Sequence, residues 1–328
     1  MSLVAGILMK INLKGIWTML KQSGSEFVDD NVMKMSAALA YYTLFALAPM
    51  LVVIISIVQF FYGDEAIQGN IYPQIAGLVG PEAGQQIQQM IQNAAISDSG
   101  TFSTIVSVIM LVILATGVFV EIQDSINTIW NLKAKPQKGF VKLILNRVIS
   151  FSMVISLGFI MLVALMINAL VEGLSNRLET LFPDLMVYVV YGINLVLTFA
   201  ITTLLFAIIF KVLPDAKVEW RTVWGGAMAT AVLFMLGKFG ITLYINSSDV
   251  GSTYGAAGSI IILLLWVYYS SLILYFGAIF TKVYAQYTNH RIHPNQYAVF
   301  VKHVEVENKA SLQAQETTKK LQEKKEEE

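Results

Sequence analysis

Cysteine is absent from the 328 residues, which removes disulfides, thiolate zinc sites, iron–sulfur ligation and a cysteine nucleophile together. Charge is scarce as well, since Asp, Glu, Lys and Arg make up only 13% of the chain. Histidine occurs three times, at His290, His293 and His303, all beyond the last long apolar stretch. There is no surplus of either sign: 22 Lys and Arg balance 22 Asp and Glu, so nothing in the composition points to a nucleic-acid partner. What is present is apolar: 56% of the residues are hydrophobic and the mean hydropathy is +0.63. A soluble fold could not hide that much apolar surface in one core. The start, Met1 to Met9, is too short and lacks the basic head of a secretory signal, so the first spanning segment is expected to direct insertion.

About 20 apolar residues are needed to cross roughly 30 Å of hydrocarbon at helical rise. Six stretches qualify: Ala37–Tyr62, Phe102–Val120, Ile149–Val171, Leu185–Phe210, Val223–Ile245 and Ile260–Tyr284. All six are expected to be helices, because lipid offers no partner to an open backbone. The expected fold is therefore all-α, a polytopic membrane protein with six transmembrane helices. Its units are an N-terminal segment 1–35, a membrane domain 36–285 with an outer loop 63–101, and a charged tail 286–328.

Orientation follows from where positive charge falls, since Lys and Arg beside a span resist translocation. Lys10, Lys14, Lys21 and Lys34 precede the first span; Lys133, Lys135, Lys138, Lys142 and Arg147 follow the second; Lys211, Lys217 and Arg221 follow the fourth. The other connections hold Asp64, Glu65, Glu82, Asp98, Glu172, Glu179, Asp184 and Asp249 against Arg177 alone. Both termini are thus expected in the cytoplasm, with the neutral composition concealing a polarised molecule.

Two amphipathic segments lie outside the spans. Ile11–Leu20 places Ile11, Leu13, Ile16, Trp17 and Leu20 among Lys10, Lys14 and Lys21, a pattern suited to a helix in the inner headgroup layer. Beyond the first span, Pro81 and Glu82 open a helix-like run with Ile87, Met90, Ile91 and Ala94 on one face. From Asn295 to Glu328 hydrophobicity falls away and the chain ends in mixed charge, which reads as a frayed or disordered tail.

An ionisable group in hydrocarbon costs roughly 3 kcal/mol, so each needs a partner, water or a route to the interface. Lys238 lies seven residues before Ile245 in span five, roughly 10 Å below the outer end. It either snorkels to the headgroups or lines a polar cavity. Asn194 in span four and Asn168 in span three fall at comparable depth; the three either converge on one site or the asparagines join helices. At the inner end of span two, Glu121, Asp124, Ser125 and Thr128 share one helical face, opposite Ile122, Ile126 and Ile129. Glu121 and Asp124, with Asn127, are candidates to line an inner vestibule, or else to pair with basic residues such as Arg147. Pro49 interrupts the hydrogen bonding of span one near Phe45 and is a candidate hinge. Gly225, Gly226, Gly237 and Gly240 allow either close helix contact or hinge motion.

Four stretches resemble the YihY/BrkB family of bacterial membrane proteins: Ser36 to Pro49, Asp124 to Trp130, Leu213 to Gly226, and Tyr254 to Trp266. The resemblance runs from about Ser36 to Tyr284 and implies a six-helix, multi-pass protein of the bacterial cytoplasmic (inner) membrane. The family once carried the name ribonuclease BN-like. Hydrolysing RNA calls for clustered metal ligands or a histidine pair with a basic groove. Here the histidines sit after the last span with no cysteine or carboxylate cluster beside them, so the chain is expected not to be an enzyme, and to carry no cofactor.

The leading expectation is a transporter or lipid-flippase-like protein for a polar or anionic amphiphile, with Lys238, Asn194 and Asn168 in the outer half of its path and Glu121, Asp124 and Asn127 in the inner. Its partners would be membrane lipids, together with envelope proteins or a second copy of itself, and no nucleic acid. The alternative is a non-transporting scaffold that organises the envelope through residues 63–101; a ribonuclease is the third reading.

Overall fold

The computed structural model describes residues 13–62, 85, 88–89, 101–134, 183–247, 258–295 and 298–301. They form six long helices and four short strands. In chain order these are α1 (Leu13–Asp29), α2 (Val32–Tyr62), α3 (Thr101–Ile129), β1 (Leu132–Ala134), α4 (Pro183–Val212), β2 (Ala216–Lys217), α5 (Trp220–Ser247), α6 (Gly258–Tyr287), β3 (His293–Pro294) and β4 (Ala298–Phe300). Four segments within them, Val108–Ile129, Gly192–Val212, Trp220–Tyr244 and Ile260–Tyr287, are long and apolar enough to cross a membrane. Helix α2 contains the whole first expected span. The third expected span, Ile149–Val171, lies outside the described residues, so the six helices seen are not the six spans expected: α1 is an additional one.

Pro49 lies inside α2, which continues as helix on both sides of it. Helix ends are set by local chemistry. Asn31, Asn131 and Asn289 all adopt left-handed backbone, with φ of 55°, 56° and 57°, a conformation that asparagine tolerates better than most side chains. At the end of α6 the Asn289 amide donates to the Gln286 carbonyl at 3.2 Å and the His290 amide to the Ala285 carbonyl at 2.9 Å, the paired closure of a Schellman turn. Helix α4 starts with Pro183 in its first turn and stops one residue before Leu213-Pro214.

Helix α1 extends nine residues beyond the expected Ile11–Leu20 segment and does not rest on lipid alone. One face is docked on α6: Met19 and Ser23 are buried, the Phe27 and Phe276 rings lie 6.1 Å apart, and Lys282 Nζ is 2.9 Å from Glu26 Oε2. The opposite face leaves Trp17 and Val28 exposed, as an interfacial helix requires.

Helix α6 is the centre of the bundle and packs against α1, α2, α3 and α5, while α2 packs on α3 and α4 on α5. Its seam with α5 is reciprocal. Thr281 sits against Gly226, and Thr230 against Gly277, so that each helix offers a glycine to the other's threonine. Both hydroxyls bond back to their own helix, Thr230 to the Gly226 carbonyl and Thr281 to the Gly277 carbonyl, each at 2.7 Å, so no polar group is stranded in the contact. Aromatic rings continue the packing across three helices: Phe206 of α4 lies 5.8 Å from Phe234 of α5, which lies 6.2 Å from Trp266 of α6.

Beyond the helix ends, β1 pairs antiparallel with β4 and β2 with β3. The residues after α6 are therefore not frayed from Asn295 onward: 293–295 and 298–301 return to pair with the α3 and α4–α5 connections. Backbone pairing overrides the polar composition that suggested a tail. Residues 302–328 lie outside the described residues. So does nearly all of the expected outer helix, of which Gln85, Gln88 and Gln89 are seen as helical.

Candidate functional site

The two strand pairs mark one end of the bundle, here the ribbon end, where α1 turns into α2, α3 and α6 finish, and α4 turns into α5. Its framework is a buried hydrogen-bonded clamp. The Asp215 amide donates to Asn127 Oδ1 at 2.9 Å, and Asn127 Nδ2 donates to Asp215 Oδ2 at 3.1 Å. Asn295 Nδ2 donates to Asp215 Oδ1 at 3.3 Å and the Asn295 amide to the Asp215 carbonyl at 3.0 Å. One aspartate thus joins α3, the α4–α5 connection and the return after α6. Beside it, Trp130 Nε1 donates to the Ala278 carbonyl of α6 at 2.9 Å. Satisfying every such group matters, because a buried donor or acceptor left without a partner costs about 1–3 kcal/mol.

Asn127 is consequently occupied within this clamp, at 4% exposure, and does not join Glu121 and Asp124 in lining a vestibule. Those two remain neighbours on one face but differ in exposure. Glu121 is half-buried and accepts a hydrogen bond from Ser125 Oγ at 3.3 Å, while Asp124 is exposed. Ile122, Ile126 and Ile129 form the buried stripe opposite.

Three cavities adjoin one another around the ribbon end. An acidic one of about 730 Å³ is lined by Asp29, Asp30 and Glu121 with Lys34, and reaches Asn131. Asn131 also lines a second cavity of about 510 Å³ beneath the β1–β4 pair, together with Lys282, Asn289 and Arg291. Asn289 and Arg291 pass into a third, of about 670 Å³, which is basic: Lys211, Lys217, His290 and His293 face it with Glu219 and Trp220. His290 and His293 thus form part of a cavity wall, and His290 Nε2 lies 3.5 Å from Glu219 Oε2.

In the other half of the bundle, Lys238 is partly buried on α5 and Asn194 is exposed on α4; Asn168 lies outside the described residues. The glycines nearby differ from one another. The Gly237 position is closed by Tyr269 of α6, whereas Gly240 meets nothing within 4 Å among the described residues.

Asp215, Asn295 and Trp130 were not singled out as site residues from sequence, although two of them stand in stretches that carry the family resemblance. The available signal was joint: Asn127 and Trp130 in one stretch and Asp215 in another are polar or amphipathic residues at the ends of spans, where side chains cross-link connections.

Residues 23–299 match the protein family described as Virulence factor BrkB, and the chain belongs to that family. Its curated relatives are named as UPF0761 membrane proteins. One from Pseudomonas paraeruginosa is 30% identical over 77% of this chain and 59% of its own length. One from Saccharophagus degradans is 27% identical over 80% of this chain and 58% of its own. A third, from Mannheimia succiniciproducens, is 26% identical over 78% of this chain and 86% of its own. The chain thus spans about three fifths of the length of the Pseudomonas and Saccharophagus relatives. No solved structure matches it.

Proposed function

We propose that this integral membrane protein of the BrkB family moves a polar or anionic amphiphile between leaflets, in the manner of a lipid flippase, and is not an enzyme. The observation that supports the reading is the row of adjoining cavities at the ribbon end, acidic at one side and basic at the other, at the ends of helices long enough to span a bilayer. A headgroup needs such polar recesses beside an apolar surface for its chains. Lys34, Lys133, Lys211, Lys217 and Arg221 all fall at this end, and that excess of positive charge supports reading it as the cytoplasmic face of a bacterial inner membrane. Lys238, in the opposite half of α5, supplies the charge met by the headgroup on the far side.

The test is reconstitution into liposomes with fluorescent phosphatidylglycerol or phosphatidylcholine, following access of each label to an impermeant quencher. Wild type is expected to exchange label above the protein-free rate. Lys238→Ala should slow it at least about tenfold, the equivalent of about 1.4 kcal/mol, with unchanged melting. Exchange equal to protein-free vesicles from well-folded protein would end the transport reading, and equal rates in both proteins would end the role of Lys238.

A further inference from the structure

The geometry points to the basic cavity as a binding site for a net-anionic phosphate group at the depth of the lipid headgroups. The cavity is bounded by the ends of three candidate spans, the last turn of α4, the start of α5 and the exit from α6, so it lies where the hydrocarbon stops. Its cations come from separate segments that the fold brings together. Lys217 on β2 and His293 on β3 are paired by the strand register, and Arg291 reaches the cavity through the turn that Asn289 makes possible.

Each wall has a defined part. Lys211 is held in place, its Nζ donating to the Val218 carbonyl and lying 5.3 Å from the Trp220 ring. Glu219 is turned toward His290, which leaves Lys217 and Arg291, both exposed, as the cations presented to a ligand. Guanidinium and ammonium groups together suit phosphate oxygens, the former by paired hydrogen bonds and the latter as a point charge. Trp220 is 52% exposed at the level where indole rings favour the membrane interface. The volume, about 670 Å³, lies within the range of small-molecule sites. The site stands on this arrangement whether or not lipid is moved across the membrane.

Two probes separate the two sources of such a phosphate. Full-length protein in detergent is titrated with inorganic phosphate by calorimetry, and phosphatidylglycerol retention against phosphatidylcholine is measured by native mass spectrometry. The variants are Lys217→Ala with Arg291→Ala, Glu219→Gln, and, as a control, Lys133→Ala at an exposed position of β1. Removing two cations at headgroup depth should weaken phosphatidylglycerol binding roughly tenfold to thirtyfold. Glu219→Gln should tighten it about fivefold, a gain that damaged folding cannot mimic, and Lys133→Ala should leave it unchanged. That pattern with the lipid assigns the site to a headgroup; the same pattern with inorganic phosphate assigns it to a soluble ligand. Equal binding by wild type and the double variant with both probes overturns the site, as does a Lys133→Ala loss as large as that of the double variant.

Discussion

At the ribbon end Ile126, Ile129, Phe210 and Val223 are wholly enclosed, whereas in the other half of the same helices Val196, Leu236 and Phe239 are 65%, 66% and 68% exposed. In water the second set would forfeit about 1.5–3 kcal/mol per side chain relative to burial; against lipid tails it forfeits little, because hydrocarbon is as apolar as leucine. The hydrophobic effect therefore cannot decide how these helices meet inside the bilayer. Shape and hydrogen bonds must, and the structure concentrates both at one end: the glycine–threonine seam, the Asp215 clamp and the Trp130 bond. The far half keeps one such contact, Gly237 against Tyr269 of α6, and elsewhere, as at Gly240, which meets no described residue within 4 Å, it leaves exposed apolar side chains and Lys238.

The sharpest way to break that contrast is to place the same methyl groups at both ends of α5. Gly226 has the Thr281 side chain against it, whereas Gly240 has nothing within 4 Å among the described residues. Gly226→Val should cost about 3 kcal/mol or more, since overpacking a tight contact forces backbone shifts. Gly240→Val should stay within about 0.5 kcal/mol. Thermal unfolding in detergent followed by size-exclusion chromatography reads both. Similar losses at the two positions would show the seam to be no tighter than the open half.

Next in size is the clamp. Asn127→Ala and Asp215→Ala each leave a buried partner unsatisfied, so each should destabilise by about 1–3 kcal/mol. The double variant should cost clearly less than the sum, with a coupling of about 1–2 kcal/mol. Additive losses would mean that the two residues do not act on one another. Trp130→Phe should follow at about 1 kcal/mol, the loss of one indole donor with most of the ring volume retained.

The difference between the ends also explains what was legible in the sequence. Apolar length located α2 to α6, because a span must satisfy its own backbone and traverse a fixed thickness; the ends fall within five residues of those expected except at α3, which runs nine residues past Val120 to Ile129. The Ile122, Ile126 and Ile129 stripe followed from helical periodicity alone. What could not be read was anything requiring two connections to meet. Asn127 looked like a member of the Glu121 and Asp124 group because the three are neighbours along one helix; only the approach of Asp215 and Asn295 from other segments shows that it turns inward. The strand pairs were hidden for the same reason: two or three residues of backbone pairing carry no periodic signal, and the polar residues around them resembled a tail. Among the glycines, periodicity placed Gly226 and Gly240 in one span without distinguishing the one that holds a threonine from the one that meets no described residue within 4 Å.

The smallest effect is the most specific to the ribbon end. Asn131 closes α3 in left-handed backbone at φ 56°, and its carbonyl accepts the Val301 amide at 2.9 Å, so this one residue both stops a helix and starts the β1–β4 pair. Asn131→Ala must hold a Cβ in that conformation without the local hydrogen bonding that asparagine offers, at a cost of about 1 kcal/mol. Asn131→Gly removes the steric penalty but adds freedom to the unfolded chain, and the two opposing effects should leave stability within about 0.5 kcal/mol of wild type. The order Gly close to Asn and well above Ala, read from melting temperatures, belongs to a backbone requirement. An order with Gly as damaging as Ala would assign the role to the Asn131 side chain instead. The ribbon end would then owe its rigidity to the walls of the adjoining cavities and not to the turn that closes the helix.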